Sequence, residues 1–143
     1  MANGFWAHAQ ENPDQLALVD PAGRAWTAGE LLASANRLVH GLRAAGLQTG
    51  DVFSVVLPNG ADYITAYLAA AQAGLYMVPV NNHLVGPELA FILADSGSKV
   101  LIGHERFADV VAAAADEAKL PAEARFAIGD VPGFRPIAEL TAG

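Results

Sequence analysis

Between Thr27 and Ile102 the chain alternates helix-period with strand-period segments, each ended by turn residues. That order admits few folds. Strands joined through helices run parallel, because a helical crossover returns the chain to the same end of the sheet, and such crossovers are right-handed. Thr27 and Glu30 make a T-x-x-E capping box, in which each side chain satisfies a backbone N–H at the other's position. Leu31, Ala35, Leu38, Leu42 and Ala45 follow at helical spacing, with Arg37 and Arg43 off that face, and Gly46 stands at the expected C-terminal glycine. Val52 to Leu57 is an unbroken apolar run, the pattern of a strand buried on both faces. Asn59 can cap a helix carrying Tyr63, Ile64, Tyr67, Leu68 and Ala71, closed by Gly74. A strand is expected over Leu75 to Val80. A helix then opens at Gly86-Pro87, buries Leu89, Ile92 and Leu93, and stops at Ser96-Gly97, ahead of a strand over Lys99 to Ile102.

The flanks add to this. Asn3 can cap a short helix reaching Gln10, and Asp20-Pro21-Ala22-Gly23 joins strands Leu16–Val19 and Arg24–Trp26 as a hairpin. Downstream, a helix is expected from His104 to Ala118 with Phe107, Val110, Val111 and Ala114 inward. A strand over Arg125 to Ile128 and a weak element near Pro136 to Leu140 complete the chain. The expected architecture is one α/β domain over residues 1–143. It has a mostly parallel sheet, flanking helices and a short N-terminal β-hairpin.

Composition narrows the function classes. Fifteen acidic side chains against eight basic ones give a formal net charge of −7, which cannot attract a phosphate backbone, so no nucleic-acid partner is expected. The basic residues are scattered, which argues against a polybasic membrane patch. There is no cysteine, so disulfides, thiolate nucleophiles and zinc–thiolate sites are ruled out. The first residues lack a basic stretch followed by an apolar one, so no signal peptide is expected, and the chain reads as cytoplasmic. Tyr63 to Pro87 is uncharged and long enough to span a bilayer. Gly74, Pro79, Asn81 and Asn82 interrupt it, so it reads as helix, turn and buried strand, with no transmembrane segment.

Ligands of open parallel sheets sit beyond the carboxyl ends of the strands, where strand order reverses. Two loops occupy such ends, Pro58-Asn59-Gly60 and Asn81-Asn82-His83. The second carries three hydrogen-bonding side chains, so Asn81, Asn82 and His83 are the candidate substrate-binding residues, against the plainer use of Asn in stabilising turns. Gly46 to Gly50 and Ser96 to Lys99 lead into strands, whereas a phosphate loop follows a strand and opens a helix. The histidines His8, His40, His83 and His104 have no ligand spacing, and no serine lies in a G-x-S-x-G elbow. Asp51 and Asp62 read as turn and helix-start acids, and Asp116-Glu117 as solvated. No catalytic, cofactor-binding or metal residue is assigned.

One resemblance goes further. W-T-x-x-E-L-L from Trp26 is followed by A-x-R-L-x-x-G-L-x-x-x-G-L-x-x-G-D-V. Next come V-V-L-P-N-G-x-D-Y-I-x-A-Y-L-A-A-x-x-A-G, V-P-V-N-N-H-L, P-E-L-A-F-I-L-A-D-S and K-V-L-I. From about Pro13 onward this resembles the start of AMP-forming acyl-CoA synthetases, within the adenylate-forming superfamily. The resemblance implies part of that superfamily's large N-terminal domain. It also implies a ligase that activates a fatty or other carboxylic acid with ATP and Mg²⁺ to acyl-AMP, then passes the acyl group to coenzyme A. The family's phosphate loop, of the form TSGTTGxPK, comes after the matched region. The implied partner is therefore a missing C-terminal portion of the same enzyme. Alone, the chain is expected to be inactive and to expose apolar surface through which it could form a homodimer. The alternatives are a stand-alone nucleotide- or ligand-binding α/β module, and a structural subunit that needs a partner chain.

Overall fold

Two strands near the start of the chain pair antiparallel, Leu16–Val19 (β1) with Ala25–Thr27 (β2), with an irregularity between Leu16 and Leu18. They form the expected hairpin as a sheet of their own. The structure is a computed structural model that describes residues 16–19, 25–58, 61–80 and 86–141. The helix expected from Asn3, the hairpin turn and the Asn59 cap lie outside the described residues.

Helix α1, Ala28–Ala44, starts at the capping box. Glu30 N–H donates to Thr27 Oγ1 at 3.1 Å, and Thr27 N–H donates to Glu30 Oε1 at 2.9 Å. There follow β3 (Val52–Val55), α2 (Ala61–Ala73), β4 (Tyr76–Pro79), α3 (Gly86–Ser96) and β5 (Val100–His104). A 3₁₀ turn at Glu105–Phe107 leads into α4 (Ala108–Glu117), and another at Ala122–Ala124 into β6 (Arg125–Ile128). Two short elements, β7 (Arg135–Pro136) and α5 (Ile137–Thr141), occupy the expected weak region. The main sheet has the order β4-β3-β5-β6-β7 and every pairing is parallel. No helix among the described residues is long and apolar enough to cross a membrane.

Period-two alternation divides the sheet's side chains between two cores. Phe53, Val55, Leu57, Val100, Ile102 and Phe126 join Leu38, Leu42, Ala66, Ala70 and Leu140 from α1, α2 and α5. Val56, Val80, Leu101 and Ala127 join Leu89, Leu93, Val111 and Ala114 from α3 and α4. Both faces of β3 and β5 are covered, as their unbroken apolar runs require. Among the described residues one polar side chain enters this interior. Ser54, fully buried, meets Ser98 Oγ at 2.5 Å, which meets Ser96 Oγ at 2.7 Å, and Ser96 donates to the Leu93 carbonyl. Because Ser96 donates outward, the run has one consistent direction, from Ser54 through Ser98 to Ser96.

Several expectations change in detail. Ala45 is exposed, while Gly41 is buried, because α5 crosses α1 at that point. A Cβ on Gly41 would lie 1.7 Å from the Leu140 carbonyl oxygen. In α2 Leu68 is buried against α1 as expected, but Ala66, Ala69, Ala70 and Ala73 fill the face toward the sheet, and Tyr67 is 58% exposed. Alanine lets the helix sit close to its neighbours, where a tyrosine would hold it away. His104 does not start a helix. It closes β5 in an extended conformation, and its Nδ1 accepts the Arg106 N–H at 3.0 Å, so α4 begins only at Ala108. Asp116 is paired, not merely solvated. It meets Arg125 at 2.6 Å, and that arginine also donates to the Leu120 and Ala115 carbonyls, which ties the end of α4 to the start of β6.

Among the described residues β4 is an outer strand, paired on one side only. The Tyr76 and Val80 N–H groups donate to the Asp51 and Val55 carbonyls. Strand alternation therefore turns the backbone of Met77 and Pro79 outward. At the amino ends of the strands, Asp51 Oδ2 accepts the Gln48 N–H at 2.8 Å and the Lys99 ammonium at 3.0 Å. The Gln48 amide first, then Lys99, holds the Asp51 carboxyl below its ordinary value.

Two outcomes are expected. Gly41→Ala should destabilise the fold by about 1–3 kcal/mol through overpacking, although alanine is the better helix former by about 1 kcal/mol. A urea midpoint equal to the parent's would show that α5 is not held against Gly41. For Asp51, a depressed folded-state value means that the stabilisation is fully present above the unfolded carboxyl's value and fades as pH falls through the folded one. Asp51→Asn should therefore flatten the loss of stability on acidification below about pH 4. Parallel acid-unfolding profiles for the two proteins would contradict this.

Candidate functional site

Parallel strands bring their carboxyl ends to one rim of the sheet. After β3 the chain builds β4 on one side, then returns past β3 to add β5 on the other. Strand order thus reverses between β3 and β5, and α2 and α3 leave for opposite faces of the sheet. A crevice at that point is a consequence of topology.

Beside that point, on the face covered by α1, α2 and α5, the structure has a cleft of about 160 Å³. Its apolar lining is Leu57 just past β3, Ile102 of β5, Ile128 at the end of β6, Leu38 of α1, Ala66 of α2 and Ile137 of α5. Ser34, Arg37, Asp62 and Thr65 supply its polar groups, from α1 and the start of α2. Arg37 and Asp62 are exposed and mark the mouth. Arg37 Nη2 donates to Ser34 Oγ at 3.2 Å. None of the four polar residues was singled out as a ligand contact from sequence. Arg37 is recognisable only as a residue off the buried face of α1, and Asp62 only as a helix-start acid.

Asn81, Asn82 and His83 lie outside the described residues. In sequence they follow β4, the outer strand, whereas the reversal lies at β3 and β5. Of the other candidate loop, Pro58 is described and half-buried, just past Leu57, while Asn59 and Gly60 lie outside the described residues. His104 ends β5, and its cap to Arg106 leaves Nε2 as the proton-bearing nitrogen of the neutral ring. Its register partner on β6 is Ile128, which lines the cleft.

The cleft does not fit a nucleotide. Pockets for ligands of that size run to roughly 300–1,000 Å³, well above the 160 Å³ present. Among the described residues no three His, Asp or Glu side chains gather to hold a metal. The Gly46–Gly50 and Ser96–Lys99 segments are connectors into β3 and β5, as their topology predicts.

A family model described as AMP-binding enzyme matches residues 5–141. A feruloyl-CoA synthase from an Amycolatopsis species is 39% identical over 138 residues, which cover 94% of this chain and 28% of that protein. The long-chain-fatty-acid–CoA ligase FadD13 of Mycobacterium tuberculosis is 35% identical over 125 residues, covering 85% of this chain and 25% of that one. Among solved structures, the anthranilate CoA ligase AuaEII in complex with anthranoyl-AMP superposes with a TM-score of 0.88, covering 99% of this chain and 26% of that one. At 21% identity this is a likeness of fold. The chain spans about a quarter of the length of the curated relatives it matches. With its parallel sheet, its reversal between β3 and β5 and its matched span from residue 5 to 141, the chain belongs to the AMP-binding enzyme family.

Proposed function

We propose that the chain is the N-terminal portion of an acyl-CoA synthetase. The complete enzyme activates a fatty or related carboxylic acid with ATP to acyl-AMP and transfers the acyl group to coenzyme A. The observation that carries this is the family match over residues 5–141, together with two relatives that are both acid–CoA ligases by name. One relative is named for an aryl acid and the other for long-chain fatty acids. The family supports the use of ATP and coenzyme A, and we add Mg²⁺ as the counter-charge for the nucleotide's phosphates. We assign the binding of all three to the remainder of the enzyme, on the ground that the family's phosphate loop follows the matched region, and place no catalytic residue in this chain.

The contribution proposed for residues 1–143 is that of a single scaffold domain. Asn81, Asn82 and His83 are proposed, on sequence grounds, as polar contacts along the acyl site. The partner is the C-terminal portion of the same enzyme. Exposed Tyr67, Tyr76 and Phe91, at 58%, 66% and 68%, supply apolar surface for that portion or for a homodimer in its absence. We place the enzyme in the cytoplasm, where ATP and coenzyme A are both at hand.

The test is AMP release that depends on ATP, coenzyme A and a carboxylic acid. It would be measured on this chain alone and on a polypeptide extended to the length of the relatives. The longer protein should release AMP with an aryl or a long-chain acid, and the 143-residue chain should release none. Turnover by the short chain would overturn the division of labour. Silence of the longer protein with both acid classes would overturn the ligase assignment.

A further inference from the structure

We propose that two copies of this chain pair through one surface, the uncharged groove between α2 and the unpaired side of β4, the tyrosines of each entering the groove of the other. This rests on the reading above that exposed aromatic side chains can bring copies of the chain together, and it selects which of them do so. The groove, of about 310 Å³, is lined by Ala70, Ala71, Leu75 and Met77 together with Tyr67 and Tyr76. An apolar protein cavity of roughly 150 Å³ takes up benzene, so aromatic rings fit here. Small residues and projecting rings thus lie side by side on one surface. Such a surface is complementary to itself about a twofold axis, and that symmetry closes at the dimer. The strand edge adds a polar match. The Met77 N–H faces outward from β4, and a phenol oxygen can accept it without any strand pairing past Pro79.

Charge decides between this surface and the one around Phe91. Each copy carries a formal net charge of −7, so two copies repel unless they meet where neither is charged. From Tyr63 to Val80 there is no charged side chain, and the residues one helical turn from Tyr67 on its own side of α2 include Tyr63 and Ala71. Phe91 is at least as exposed as the tyrosines. Yet Glu88, three residues before it, and Asp95, four after it, share its side of α3 and are exposed too. Pairing there would set the two carboxylates of one copy against the two of the other.

Sedimentation equilibrium of the 143-residue chain tests this. A monomer–dimer equilibrium is expected. It should tighten as salt rises from about 0.01 to about 0.1 M, because the Debye length falls from about 30 to about 10 Å and the repulsion between copies is screened. Tyr67→Glu and Tyr76→Ser should each weaken the dimer by about thirtyfold or more, the loss typical of a central interface tyrosine. Phe91→Ser should leave it unchanged. All three side chains are exposed, so the variants should keep the parent's circular dichroism and serve as valid comparisons. A parent that stays monomeric at every salt concentration would overturn the proposal together with the homodimer reading. A dimer that survives both tyrosine changes, or is lost with Phe91→Ser, would overturn the choice of surface alone. Assembly beyond the dimer, or a dimer that loosens as salt rises, would overturn the twofold, uncharged contact. The ligase assignment is separate from all of these outcomes, since it is read from AMP release.

Discussion

Two parallel strands cannot be joined by a tight turn, so each return is made by a helix, and each helix must find a face of the sheet to cover. In this chain the constraint falls hardest on β3. It pairs with β4 on one side and β5 on the other, with Phe53 and Val55 in one core and Ser54 and Val56 facing the other helices. Once β3 has neighbours on both sides, the crossovers through α2 and α3 must leave in opposite directions. The cleft beside Leu57 and Ile102 lies on the face that α2 takes, between that helix, α1 and α5. It does not depend on any special sequence in the loops.

The two rims of the sheet are built differently. At the amino ends, charged side chains bind the elements together. Asp51 holds Gln48 and Lys99 at the start of β3 and β5, and Arg125 gathers the Ala115 carbonyl of α4 and the Leu120 carbonyl beyond it at the start of β6. Among the described residues, no ion pair joins the carboxyl ends of β3, β5 and β6. A protein that puts its fastenings at one rim leaves the other free to vary with the ligand, the usual division between a rigid scaffold and the loops it carries.

The elements themselves were legible because their signals are local. The Thr27–Glu30 box, the apolar run from Val52 and Gly46 each act within a few residues, and each appears where its chemistry demands. Features that depend on distant contacts were not legible. Gly41 reads as one more helix residue until Leu140, a hundred positions later, is laid against it. Tyr67 shows the right spacing for a buried face, but the positions of α2 that meet the sheet core are alanines. Asp116 has no visible partner until β6 carries Arg125 back to it. The cleft is the extreme case, since its lining comes from six separate parts of the chain. The sequence pointed to the rim through Pro58 but could not show which helices close over it.

Pro79 has a consequence for how such a protein is made. It occupies the outward-facing place on the outer strand, where its missing N–H leaves Met77 as the donor that β4 turns outward. A ribosome adds about 5–20 residues per second, so in a protein of the relatives' length this segment would wait on the order of tens of seconds for the rest. During that wait an uncharged strand edge beside Tyr67 and Tyr76 is a hazard to every neighbouring nascent chain. With its hydrogen-bonding row broken at Pro79, β4 cannot easily template a foreign strand. Its apolar flank stays available to side chains that arrive later, while the edge resists the backbone pairing that starts aggregation.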